Sequence, residues 1–119
     1  MAQLSHAEFE AVVSEALDTL PKRFADMVEN VAISIEEEPT DEDLAEVEDD
    51  DEELVGIYRG VPLTERTFGQ DPLLPDEIAV FRGPINRIAR SREEAVDEIR
   101  ETIVHELGHY FGLEDEDLP

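Results

Sequence analysis

The chain has 119 residues, no cysteine, and a formal net charge of −24 from 33 acidic and 9 basic residues. So acidic a surface repels phosphate backbones and anionic lipid, which excludes nucleic acid and membrane surfaces as partners and favours basic peptides. Without cysteine there are no disulfides and no thiolate metal ligands, so any bound metal must be held by histidine and carboxylate, and the chain suits a reducing compartment.

The length fits one domain, residues 1–119, with a single small core. The start MAQLSHAEFE lacks a basic leader region, and no apolar run approaches the ~18 residues needed to span a bilayer. The expectation is a soluble cytoplasmic protein; its oligomeric state is not legible.

In chain order, Ser5-x-x-Glu8 reads as a capping box opening an amphipathic helix, with Phe9, Val12, Val13, Ala16, Leu17 and Leu20 at helical spacing until Pro21. Packing against a sheet is its expected role, and His6, in its first turn, reads as an exposed surface residue. Asn30–Glu36 alternates with β-branched residues and reads as a first strand. Residues 36–53 follow, with 13 carboxylates in 18 positions and no basic residue, a density that repels itself and predicts a solvated acidic loop. It lacks the spaced Asp/Asn and central Gly of an EF-hand, so no calcium site is assigned.

Residues 54–60 read as a second strand and 77–82 as a third, closed by Gly83-Pro84, with irregular chain between them marked by Pro62 and the 69–75 stretch. A short helical turn is expected over 84–89. Ser91-x-x-Glu94 then caps a long helix whose apolar stripe is Ala95, Val96, Ile99, Ile103, Leu107 and Tyr110 or Phe111. Helices and strands in this order predict an α+β fold, one layer of helices on a small sheet.

The last helix ends in His105-Glu106-Leu107-Gly108-His109-Tyr110-Phe111-Gly112-Leu113-Glu114-Asp115, which reads HExxHxxGxxD. Residues four apart on a helix share a face, so His105 and His109 can point at one zinc ion. Glu106 beside them can take a proton from a water on the metal and pass it to a leaving amine. Gly112 can adopt φ > 0 and end the helix, turning the chain so that Asp115 returns as a third ligand. Glu114, Glu116 and Asp117 are equally acidic neighbours, and a one-residue shift of the turn would exchange the ligand. Two imidazoles and one carboxylate leave a tetrahedral position open, as in catalytic rather than structural zinc sites. A surface helix carrying two histidines by accident is the competing account, but HExxH arises by chance in only roughly a few chains per thousand of this length.

The motif resembles the metzincin signature, with aspartate in place of its third histidine. Together with Val61-Pro62-Leu63-Thr64-Glu65-Arg66 and Leu74-Pro75-Asp76-Glu77-Ile78, it is similar to minimal zincin-like metallopeptidase domains of bacteria, over roughly the last half of the chain. The resemblance implies a zincin-like α+β fold, a small mixed sheet packed on an N-terminal helix and a long C-terminal active-site helix. It also implies peptide-bond hydrolysis, with His105, His109 and Asp115 on zinc and Glu106 as general base. The chain departs from metzincins after His109: only ten residues follow, the sole methionines are Met1 and Met27, and no methionine turn has a counterpart.

A peptidase of this kind takes an extended peptide on an edge strand, here 54–60 or 77–82. Neither Tyr58 nor Arg66 is assigned a role. The alternative is a non-catalytic module in which zinc stabilises a small fold and the acidic loop recruits a basic partner.

Overall fold

The structure, a computed structural model, describes residues 2–29, 31–45, 53–59 and 77–110, residues 109 and 110 by backbone alone. Among the described residues, five helices and three strands follow in the order α1 (His6–Asp18), α2 (Lys22–Val28), β1 (Ala32–Glu36), α3 (Asp41–Ala45), β2 (Gly56–Arg59), β3 (Glu77–Phe81), α4 (Arg82–Ile88) and α5 (Arg92–Tyr110). No described helix is long and apolar enough to cross a membrane.

The capping box predicted for α1 forms in both directions: Ser5 Oγ accepts from the Glu8 N–H, and Glu8 accepts from the Ser5 N–H. These bonds satisfy backbone donors that the first helical turn leaves without partners. At the start of α5 the Ser91 hydroxyl accepts from the Glu94 N–H at 3.2 Å. Pro21 supplies the N-cap of α2, where a residue without an N–H costs nothing.

The three strands form a mixed sheet in the order β1-β3-β2. β3 is central, parallel to β1 and antiparallel to β2, with Ile33 opposite Ile78 and Ile57 opposite Ala79. Its sequence Ile78-Ala79-Val80-Phe81 is fully buried, as a strand covered on both faces must be. Ile78 and Val80 face the main core; Ala79 and Phe81 join Ile57 in a smaller cluster on the opposite face.

The main core is organised by α5. Its predicted stripe is buried as far as Leu107: Ala95, Ile99, Ile103 and Leu107 are inaccessible to solvent and Val96 nearly so, as is Val104 beside them, while the side chains of Tyr110 and Phe111 lie outside the described residues. Truncating Ile99 or Ile103 to alanine would cost ~2–5 kcal/mol, because packed surroundings collapse only partly into the space left behind. The helix packs on β2 and β3 on one side and on α1, α2 and α4 on the other. The chief partner of α1 is therefore α5 rather than the sheet, since the sheet is only three strands wide and α5 already covers it.

The span 36–53, expected to be loop throughout, divides otherwise. Glu36 is the last residue of β1, and Asp41–Ala45 is helical. The physical reason is local and tertiary together. Thr40 Oγ1 accepts from the Asp43 N–H at 3.1 Å and Asp43 Oδ2 accepts from the Thr40 N–H at 2.9 Å, a second reciprocal cap. Asp43 is itself buried, at 5% exposure, because Arg59 neutralises it.

Candidate functional site

Arg59 ends β2 and gathers carboxylates from three elements. Its Nη1 donates to Glu36 at 2.6 Å and to Glu77 at 3.1 Å, its Nη2 to Glu36 at 2.9 Å and to Asp43 at 2.7 Å, and its Nε to Asp43 at 3.0 Å. All five guanidinium N–H groups are therefore used. Hydrogen bonds from Arg59 hold both Asp43 and Glu36 below the usual carboxylate range, against the opposing effect of burial. This cluster is architectural: it ties the acidic segment to the ends of β1, β2 and β3.

A second group of carboxylates lies along α5. Glu98, Glu101, Thr102, His105 and Glu106 of the helix join Glu53, Val55 and Gly56 around a cleft of about 380 Å³. No lysine or arginine is among the described residues lining it. Glu98 is pushed above its ordinary pKa, first by burial and then by the charges of Glu101, Glu94 and Asp97.

Helical spacing explains the grouping. Glu98, Thr102, His105 and Glu106 recur at intervals of three and four, so they share the face of α5 that the apolar stripe does not use. Close approach then places that face at the sheet edge. A Cβ added at Gly56 would lie 2.7 Å from Thr102 Cγ2 and 2.9 Å from the Ala79 carbonyl oxygen, so only glycine lets α5 sit this near β2.

His105 is exposed at the cleft, and Glu106 is half-buried beside it. Glu106 reaches the edge strand: the Tyr58 N–H donates to its Oε2 at 3.0 Å across 48 residues of sequence. His109 lies one turn beyond His105 on the same helix by its backbone. Asp115, its acidic neighbours, Arg66 and Phe111 lie outside the described residues. Among the described residues no three His, Asp or Glu side chains converge into a metal-sized group, and the three expected ligands include only one, His105, whose side chain is described. His6 is remote in role: it is exposed on α1, 3.1 Å from Glu10 and 3.5 Å from Glu37.

The donor chemistry suits zinc. A solvent-facing imidazole at His105, continued one helical turn later by a second histidine, is the borderline nitrogen donor pair that Zn²⁺ accepts, and an adjacent cleft leaves access for water. Two features of the site had no sequence signal strong enough to single them out: the backbone N–H of Tyr58, which only the pairing of β2 aims at Glu106, and Gly56, whose role is a close approach.

No curated protein matches the chain. Among solved structures, a conserved hypothetical protein from Thermus thermophilus shares the fold with a TM-score of 0.59 at 24% identity, the alignment covering 91% of this chain and 94% of the other. The profile of the zincin-like metallopeptidases matches residues 28–119, the span from the end of α2 through the sheet and α5 to the C-terminus. By that match, and with HExxH carried on the helix that lines the cleft, the chain belongs to the zincin-like metallopeptidase family.

Proposed function

We propose that the protein is a zinc-dependent peptidase in which His105, His109 and Asp115 hold the metal and Glu106 is the general base. The observation that carries this reading is that α5 turns His105 and Glu106 into one solvent-reached cleft beside the edge strand β2. Zinc bound there would supply Lewis acidity, polarising the scissile carbonyl and making a water acidic enough to react near neutral pH.

The chain's own residues account for the rest. Glu106 accepts the proton of the attacking water at a carboxylate oxygen and returns it to the leaving amine nitrogen, so no covalent intermediate is needed. The substrate backbone is taken up on β2. Because β3 is central, residues 77–81 offer no edge, and among the described residues β2 is the outer strand beside the cleft. Carboxylates along the cleft draw basic peptide or protein substrates.

The module alternative receives less support. Among the described residues of the acidic segment, Glu36, Glu37, Glu38, Asp43 and Glu53 are engaged by Arg59, Arg82 and Arg87 of the fold itself. The test is zinc stoichiometry by elemental analysis on wild type and His109→Ala, beside a chelator-controlled peptide-library digest. One zinc per chain, lost in the variant, with chelator-sensitive cleavage is the expected result. One zinc without cleavage would favour the binding module, and no zinc would overturn the reading.

A further inference from the structure

The ladder between β2 and β3 decides which way each backbone group of β2 faces. The Phe81 N–H donates to the Val55 carbonyl at 2.9 Å, and the register pairs Ile57 with Ala79 and Arg59 with Glu77. In an antiparallel ladder alternate residues turn their N–H and C=O inward, so Val55, Ile57 and Arg59 address β3 while Gly56 and Tyr58 address the outer edge. An outward N–H on an edge strand ordinarily meets water or an added strand. At Tyr58 it meets the Glu106 carboxylate at 3.0 Å instead.

This contact depends on two features that have no other evident purpose in common. Gly56, two residues earlier on the same edge, removes the side chain that would hold α5 away at Thr102, one turn before Glu106. The Tyr58 side chain is buried in the main core, which anchors its own backbone amide against movement. A rigid donor is thus presented to a side chain that has three rotatable bonds and sits at the mouth of an open cleft. An unheld glutamate there would sample several rotamers.

We propose that the outward N–H of Tyr58 positions Glu106, holding its carboxylate in one rotamer against the β2 edge where a peptide bond laid along that edge meets the cleft. Tyr58 is then a positioning residue that acts through its main chain. The inference rests on the role assigned to Glu106 above and deepens it: the strand that receives the substrate backbone also sets the base, so that substrate and base share one frame. A consequence is that the Tyr58 N–H is not offered to substrate, and the edge must bind a peptide through its other outward groups.

Amide hydrogen exchange on the full-length protein, metal-free and zinc-loaded, tests the hold without requiring turnover. Tyr58 exchange should accelerate about tenfold or more in Glu106→Ala, remain slow in Glu106→Gln, whose amide oxygen accepts the same bond, and leave Ile57 and Arg59 unchanged in both. Equal Tyr58 exchange in wild type and Glu106→Ala would overturn the proposal. The functional arm replaces Tyr58 by its α-hydroxy acid, which turns the N–H into an ester oxygen and keeps the side chain. Displacing a base by a fraction of an ångström should lower kcat about 10- to 100-fold with KM nearly constant. A raised KM at constant kcat would assign the N–H to substrate and overturn the proposal. If the wild type shows the expected exchange pattern but cleaves nothing, the peptidase reading fails while the hold on Glu106 stands.

Discussion

Two groups of carboxylates flank β2, and they are treated oppositely. Around Arg59, at the end of the strand, Glu36, Asp43 and Glu77 share one guanidinium, and the Glu36 and Asp43 carboxyls are held below their ordinary range. Along the cleft, Glu98 and Glu101 of α5 have no lysine or arginine beside them among the described lining residues, and Glu98 is pushed upward. A paired carboxylate has found its partner and builds the fold; one left beside an opening keeps its field for whatever enters. In so acidic a chain the few arginines, more than the many acids, decide which group is which.

The sharpest way to break that comparison is Glu106→Gln. It should lower hydrolysis by ~10²–10⁴-fold, the ordinary worth of a general base, and leave the melting temperature within about 2 °C because the bond from Tyr58 survives. A comparable loss of stability would make Glu106 a member of the architectural group, and a thermal melt beside a peptide digest reads both.

Arg59→Met tests the other side. It strands a buried Asp43 and should destabilise the fold by about 2–3 kcal/mol in urea unfolding, with activity per folded molecule retained. A cost below ~0.5 kcal/mol would reduce the cluster to an ordinary surface ion pair.

Acid should act through the same groups. A carboxyl whose pKa is lower in the folded than in the unfolded chain contributes stability that is complete above the unfolded value and lost as pH falls through the folded one. For Glu36 and Asp43 the loss therefore begins near pH ~4 and continues below it. The stability gap between wild type and Arg59→Met should shrink over that range, and a gap constant down to pH ~2 would contradict the assignment.

Glu98→Gln is the smallest effect and has the reverse sign. Its folded pKa is raised, so ionisation at neutral pH weakens the fold and the substitution should stabilise by ~0.5 kcal/mol or less. That gain should vanish at pH values below the ordinary glutamate pKa, where the wild-type carboxyl is protonated in both states; chemical denaturation at two pH values measures it.

What was legible in the sequence follows from the range of the interactions involved. The ends of α1 and the start of α5 could be read because Ser5-x-x-Glu8 and Ser91-x-x-Glu94 act within one helical turn. The buried stripe of α5 could be read because burial repeats at the helical period. The short helix α3 carries the same kind of local signal in Thr40-x-x-Asp43, but it lies in a run of acids whose mutual repulsion predicts solvated loop. Only Arg59, 16 residues away, reverses that balance.

The amino-acid sequence by itself determined the zincin-like character, the helix that carries His105, Glu106 and His109, and the three strands, since each depends on residue types at short, regular spacing. The tertiary structure alone decided that β3 is central and β2 an edge, that Gly56 admits α5, that Tyr58 faces Glu106, and which carboxylates Arg59 claims. Strand order, close approach and charge pairing join residues tens of positions apart, and no local pattern encodes which of the many compatible partners the packed core brings together.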